Sequence, residues 1–178
     1  FLAEMNEARM KKVMRPKILG AWNLHTNTLG KPLDFFICFS SFASLVGNMD
    51  QGNYAAANVF LDLLSAYRQG LNLPALTVCW GPIGDVGYVA RRSDIREHFR
   101  RQGFDEVSLD QAWQTLVLGL KNRLDTVGIA PADWHSAARY NASIGTSPRY
   151  LPLVKRAEHT REAGQGKNQM AVHSAMTA

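Results

Sequence analysis

Apolar and polar residues alternate along this chain with two different periods, and the switching between them predicts a layered α/β protein. Between residues 2 and 14, Leu2, Met5, Met10 and Val13 recur near helical spacing. Pro16 then stands where a new first turn would begin, leading into Lys17-Ile18-Leu19-Gly20-Ala21-Trp22-Asn23-Leu24. The pattern predicts a kinked or two-part helix. Gly30-Lys31-Pro32 breaks it, and DFFICF, from Asp34 to Phe39, is the short apolar and aromatic run expected of a strand buried on both faces. Ser40 and Ser41 follow at its end. Gly47-Asn48 and Gln51-Gly52-Asn53 mark a loop, after which Tyr54 to Gly70 carries Ala, Leu and Phe at helical spacing up to a capping glycine. PALTVCW reads as a second buried strand, GPIGDVGYV as a glycine-rich loop and residues 92–102 as a charged helix. Ser108-Leu109-Asp110-Gln111 caps an amphipathic stretch to Lys121, and DTVGIAP reads as a third strand.

Strands separated by helices of this length need crossover connections, so the sheet is expected to be parallel and covered by helices. Three helix–strand units make about half of a doubly wound domain. The fold class expected is therefore α/β, the C-terminal part of a Rossmann-like doubly wound parallel sheet. Beyond Ser136 the pattern fades into a polar stretch containing Gly and Pro, which divides the chain into residues 1–135 and a linker or mobile tail at 136–178. The chain opens on Phe1 rather than Met and is helical in pattern from the start, as expected of a piece of something longer.

With 46% hydrophobic and 20% charged residues, the composition is that of a globular chain rather than a disordered one. Cys38 and Cys79 both fall inside apolar strand-like runs, so buried free thiols are expected and not a disulfide framework. That usage fits a reducing, cytoplasmic setting. No apolar run reaches the roughly 18 residues of a membrane helix, and no signal-peptide pattern is present, so no membrane partner is expected. Without secretion, the glycosylation-type triplet Asn141-Ala142-Ser143 reads as chance. The formal charge of +5 is concentrated in two clusters, Arg9, Lys11, Lys12, Arg15 and Lys17, then Arg91, Arg92, Arg96, Arg100 and Arg101. No aromatic-interleaved RNA motif or zinc-ligand spacing accompanies them, so solvated helix faces come first, an acidic protein partner next, and nucleic acid is not expected. No metal is expected either.

In a doubly wound sheet, ligands collect at the carboxyl ends of the strands, where Ser40 and Ser41 fall. The helix at Tyr54 puts Tyr54 and Asn58 about one turn apart on one face, with alanines between them that leave room for a ligand. A tyrosine hydroxyl has a pKa of roughly 10 and donates a proton near neutrality only where something favours its ionised form, as a nearby ammonium does. A serine hydroxyl beside it can hydrogen-bond a carbonyl oxygen as negative charge develops there. Serine, tyrosine and a cation together suit carbonyl reduction.

Ser41 and Tyr54 are thirteen residues apart, and FSSFASLVGNMDQGNYAAANVFLDLLSAYR closely resembles the ketoreductase domains of polyketide synthases, in the short-chain dehydrogenase/reductase superfamily. The resemblance extends to PKILGAWNLH upstream and to LPALTVCWGPIGDVG and GIAPADW downstream, over roughly residues 10–135. It implies that Ser41 polarises the ketone, Tyr54 donates the proton, Lys17 lowers the tyrosine pKa and Asn58 completes the polar relay. Most short-chain dehydrogenases carry Lys four residues after the Tyr, whereas polyketide ketoreductases resemble this sequence, with Asn there and the Lys on the preceding helix. Taken singly, Lys17 reads as one more residue of a basic face and Asn58 as a small polar residue bonding the helix backbone.

The resemblance further implies NADPH as cofactor, with the loop containing Pro82 and Gly84 beside the nicotinamide and residues 88–104 as a mobile lid helix. GPIGDVG lacks the glycine spacing of a phosphate-binding fingerprint. The family's glycine-rich dinucleotide-binding loop has no counterpart here, so the N-terminal dinucleotide-binding half is expected to be absent from this chain and the chain alone inactive. The implied reaction is reduction of a β-ketoacyl group, held on the phosphopantetheine of an acyl carrier protein, to the β-hydroxyacyl. The implied partners are that carrier and the other synthase domains, with residues 136–178 leading towards a carrier domain. Val46 stands eight residues before Tyr54, where a Trp is associated with A-type product, and so implies the B-type, D-configured alcohol. The alternative is a non-catalytic, reductase-like scaffold or carrier-docking segment.

Overall fold

The computed structural model describes residues 4–162 and 172–173. They form two compact units. One comprises residues 4–80, 114–128 and 172–173, the other residues 81–113 and 129–162.

The first unit begins with helix α1 (Glu7–Asn27), whose cap Asn6 accepts the Arg9 amide through its side chain. The helix runs on through Pro16 instead of breaking there. Proline frees the carbonyl four residues back. That residue is Lys12, and both Lys12 and Pro16 are exposed, so water can take the freed carbonyl. Strand β1 (Ile37–Ser41) follows, then the single turn α2 (Ala43–Val46), helix α3 (Gly52–Gly70) and strand β2 (Leu76–Trp80). Gly70 is the last residue of α3 and not a left-handed cap. That conformation falls at Asn72 (φ 57°), and the Leu73 amide returns to the Arg68 carbonyl at 2.9 Å.

β1 and β2 pair in parallel from Ile37 opposite Leu76 to Ser41 opposite Trp80. The two serines are therefore the last residues of the strand rather than the loop after it, because the ladder continues through Cys79 and Trp80. β3 (Thr126–Ile129) lies next to β2, and β4 (Val172–His173) adds antiparallel to β3, giving the order β1-β2-β3-β4. β1 stands at one end of that order and is not buried on both faces as DFFICF suggests: Cys38 and Ser40 face inward, while Phe39 is 58% exposed. One core joins α1, β1 and α3 through Ala21, Phe36, Cys38, Leu61 and Leu64. A second joins Leu76, Val78 and Val127, with Leu116 packed against them.

In the second unit, α4 (Gly87–Ala90) and α5 (Ser93–Arg101) follow the glycine-rich loop, and α6 (Leu109–Lys121) starts here and ends in the first unit. Residues 136–162, expected as linker or tail, are instead mostly helical, in α7 (Trp134–Tyr140), α8 (Ala142–Thr146) and α9 (Leu151–Glu162). Asp133 and Asn141 cap the first two, and Ala137, Ile144, Tyr150 and Val154 are buried, with Trp134 stacked on Tyr150 at 6.0 Å. Short helices with one buried residue per turn leave too little periodicity to be read from sequence. The rest of the expected tail, residues 163–171 and 174–178, lies outside the described residues.

Candidate active site

Ser41 and Trp80 end two parallel strands side by side, so the first unit presents the carboxyl edge of its sheet there. The chain turns at once into α2, and the Phe42 amide donates to the Trp80 carbonyl at 2.8 Å. Ser41 Oγ accepts the Ala43 amide at 3.2 Å. A hydroxyl has one hydrogen and two lone pairs. With the amide on one lone pair, the hydrogen of Ser41 stays available to donate outward.

Lys17, on α1, is half-buried, while Lys11, Lys12 and Arg15 of the same helix are exposed. Its Nζ donates to the Phe39 carbonyl at 3.2 Å and stands 5.8 Å from the centre of the Tyr54 ring. The ammonium is thus tied to the backbone two residues before Ser41 and near Tyr54, unlike its neighbours on the solvated basic face. Lys11 pairs within that face with Glu7.

Tyr54 sits in the first turn of α3, half-buried, its amide donating to Asn53 Oδ1 at 2.9 Å. One turn on, Asn58 is 0% exposed, and its Nδ2 donates to the Tyr54 carbonyl at 2.8 Å. Bonding the helix backbone accounts for only half of this amide. Among the described residues its Oδ1 is buried without a hydrogen-bond partner. An unmet buried acceptor costs roughly 1–3 kcal/mol, a burden more often found at functional sites than in plain cores.

The other predicted pair lies in the second unit. Pro82 is buried, its carbonyl accepting the Val107 amide at 2.7 Å, and the Gly84 amide donates to the Val107 carbonyl at 3.1 Å. A side chain at Gly84 would collide with Glu106. Both residues therefore shape the loop through their backbones, and the Gly84 amide is already engaged. Glu106 Oε1 stands 3.7 Å from Arg96 and from Arg100 of α5, so much of the second basic cluster faces a carboxylate and not only solvent.

Both cysteines are free and buried. Burial pushes the Cys38 thiol up to about 11 and, with the Asp62 carboxylate adding to it, the Cys79 thiol up to about 12. Neither is a nucleophile near neutrality. Among the described residues no group of His, Cys, Asp and Glu could hold a metal ion, and no helix is long and apolar enough to cross a membrane.

Sequence reasoning missed Arg68 and Ser44, and it placed Ser40 at the strand end without giving it a role of its own. Arg68 is 1% exposed beneath α1, where its Nη1 lies 3.1 Å from His25 Nδ1, its Nε donates to the Pro74 carbonyl and its guanidinium stacks 3.8 Å above Phe36. In the last turn of a helix an Arg reads as a dipole-complementing surface charge, and nothing local marks this one as buried.

The fold is that of a Rossmann-like α/β domain of the short-chain dehydrogenase/reductase kind. Residues 1–85 match the model of the KR domain family, and with the relatives below that match supports a polyketide synthase ketoreductase domain. Among curated relatives, it is 33% identical over 168 residues to highly reducing polyketide synthase frbB of Dothideomycetidae sp. (strain 11243), a match covering 92% of this chain and 6% of the synthase. It is 44% identical over 107 residues to hybrid PKS-NRPS synthetase pyvA of Aspergillus violaceofuscus, covering 60% of this chain and 3% of that protein. Among solved structures, one described as A-type ketoreductases from a modular polyketide synthase superposes with a TM-score of 0.79 at 31% identity, over 88% of this chain and 33% of that one. The chain therefore spans a few per cent of these synthases and a third of that ketoreductase chain.

Proposed function

We propose that this chain supplies the proton-donating part of a ketoreductase site that reduces a β-ketoacyl group, carried on the phosphopantetheine of an acyl carrier protein, to the β-hydroxyacyl with NADPH. The observation that carries the reading is Lys17, a half-buried cation drawn off its helix face to the Phe39 carbonyl and standing 5.8 Å from the Tyr54 ring. Ser41 donates its free hydroxyl hydrogen to the ketone oxygen as charge builds on it, and Tyr54 gives that oxygen a proton. Lys17 offsets the negative charge left on the phenol. Asn58, its Oδ1 unmatched by any donor among the described residues, accepts a hydrogen bond in the path that returns a proton to the site.

A nicotinamide cofactor, when bound, supplies the hydride that completes the reduction. The residues fit that division of labour: Ser41, Tyr54 and Lys17 hold or move protons and charge, and none can provide a hydride. Pro82 and Gly84, braced on Val107 within their own unit, are the residues proposed for cofactor binding. Carrier and companion domains of a synthase are the partners this reading requires.

The test is Tyr54→Phe in the intact synthase, assayed on a β-keto thioester. Turnover is expected to fall by roughly a hundredfold or more, the scale of general-acid catalysis, with the fold retained. Reduction at the wild-type rate would overturn the assignment of Tyr54.

A further inference from the structure

Behind the candidate site lies a partly buried polar cluster that its proton chemistry does not use. Ser40 points to the opposite face of β1 from Ser41, is 6% exposed, and its Oγ donates to the Asn58 carbonyl at 3.3 Å. Ser44, in α2, donates through Oγ to the Ser41 carbonyl at 2.8 Å. The two hydroxyl oxygens are 3.5 Å apart, and Ser44 Oγ is 3.6 Å from Cys79 Sγ, which in turn donates to Asp62 Oδ1 at 3.4 Å. Three hydrogens are available, one on each hydroxyl and one on the thiol, and three acceptors of full strength face them. The assignment that meets every acceptor sends Ser40 to the Asn58 carbonyl, Ser44 to the Ser41 carbonyl and Cys79 to Asp62. The thiol stays protonated and so remains a donor.

Each serine thus holds the backbone of one candidate catalytic residue. Ser41 sits where a strand becomes a turn, and no later ladder rung fixes its carbonyl beyond Trp80. Asn58 keeps its orphaned Oδ1 aligned only while α3 is held against β1, and the Ser40 bond spans that junction.

We propose that Ser44 and Ser40 are positioning residues of the reductase, Ser44 acting through Ser41 and Ser40 through Asn58. The proposal rests on the ketoreductase reading. Displacing a reacting group by about an ångström costs on the order of a hundredfold in rate, so loss of either hydroxyl should lower kcat by about ten- to a hundredfold. KM should stay nearly unchanged, since neither serine touches substrate.

The experiment measures kcat and KM for Ser44→Ala and Ser40→Ala in the intact synthase with a β-keto thioester, alone and in Ser41→Ala and Asn58→Ala backgrounds respectively. The expected result is a fall in kcat in each single variant and little further fall in the double variants, because a positioning group has nothing left to position. Ser44→Thr, whose Oγ1 can make the same bond three residues back, is expected to restore the rate. Wild-type kcat in both single variants, or equal losses with and without Ser41 and Asn58, would overturn the proposal. Should an alanine variant fail to fold, Ser44→Cys and Ser40→Cys, similar in shape but weak donors, carry the same comparison. Tyr54→Phe, measured alongside, separates the two readings: if it stays active the ketoreductase assignment fails, and if it alone is inactive only the positioning role fails.

Discussion

Lys17, Ser41, Tyr54 and Asn58 show how far single residues could be read before folding. Their types and spacing, with the family resemblance, suggested roles, yet Lys17 looked like any member of a basic helix until the Phe39 carbonyl and the Tyr54 ring were found beside it. At this scale, Lys17→Met is expected to reduce turnover of the intact synthase by about tenfold or more at neutral pH, with Lys17→Arg only partly compensating, because a planar guanidinium does not replace a compact ammonium. Equal rates for Met and wild type would return Lys17 to the surface. Val46, half-buried at the end of α2, carries the stereochemical prediction. With no bulky Trp there, the product is expected to be the D-configured, B-type alcohol. Chiral chromatography showing mainly the L-alcohol would refute that without touching Tyr54.

Among the elements, α1 and α3 meet through a contact no pattern announced. Arg68 reaches from α3 to His25 of α1, to the Pro74 carbonyl and to the Phe36 ring. Arg68→Ala would leave a cavity and orphan two acceptors, so a loss of about 3 kcal/mol is expected, measurable by denaturant unfolding of the intact domain. The same contact predicts a pH dependence. His25 lies buried with Nδ1 facing the guanidinium, and burial first, then the Arg68 charge, lower its pKa from the ordinary 6.5. A histidine whose folded value is depressed contributes stability that is complete above about pH 6.5 and is lost as pH falls through the lower folded value. Unfolding midpoints should therefore drop on acidification below pH 6.5. His25→Gln should flatten that slope, and an unchanged slope would refute the assignment.

For the whole chain, strand and helix order were legible because each element carries its own periodicity: β1, β2, β3 and the long helices α1, α3 and α6 fall close to where the pattern placed them. The chain spans 33% of the solved ketoreductase chain it matches, and Phe39 on its end strand and Phe35, two residues before that strand begins, are exposed. On its own it is expected neither to reduce a β-keto thioester with NADPH nor to stay dispersed as well as the intact synthase does, since an open apolar edge invites pairing. Turnover by the isolated 178 residues would contradict this. What the sequence by itself determined was the α/β order, the two buried thiols and the spacing of Ser41, Tyr54 and Asn58, all properties of local pattern. Only the tertiary structure decided that residues 136–162 form helices, that Arg68 is buried, that Lys17 leaves its basic face, and that Ser40 and Ser44 brace Asn58 and Ser41. Each of these depends on groups far apart in the chain, or on caps and single buried residues, and periodicity carries no information about either.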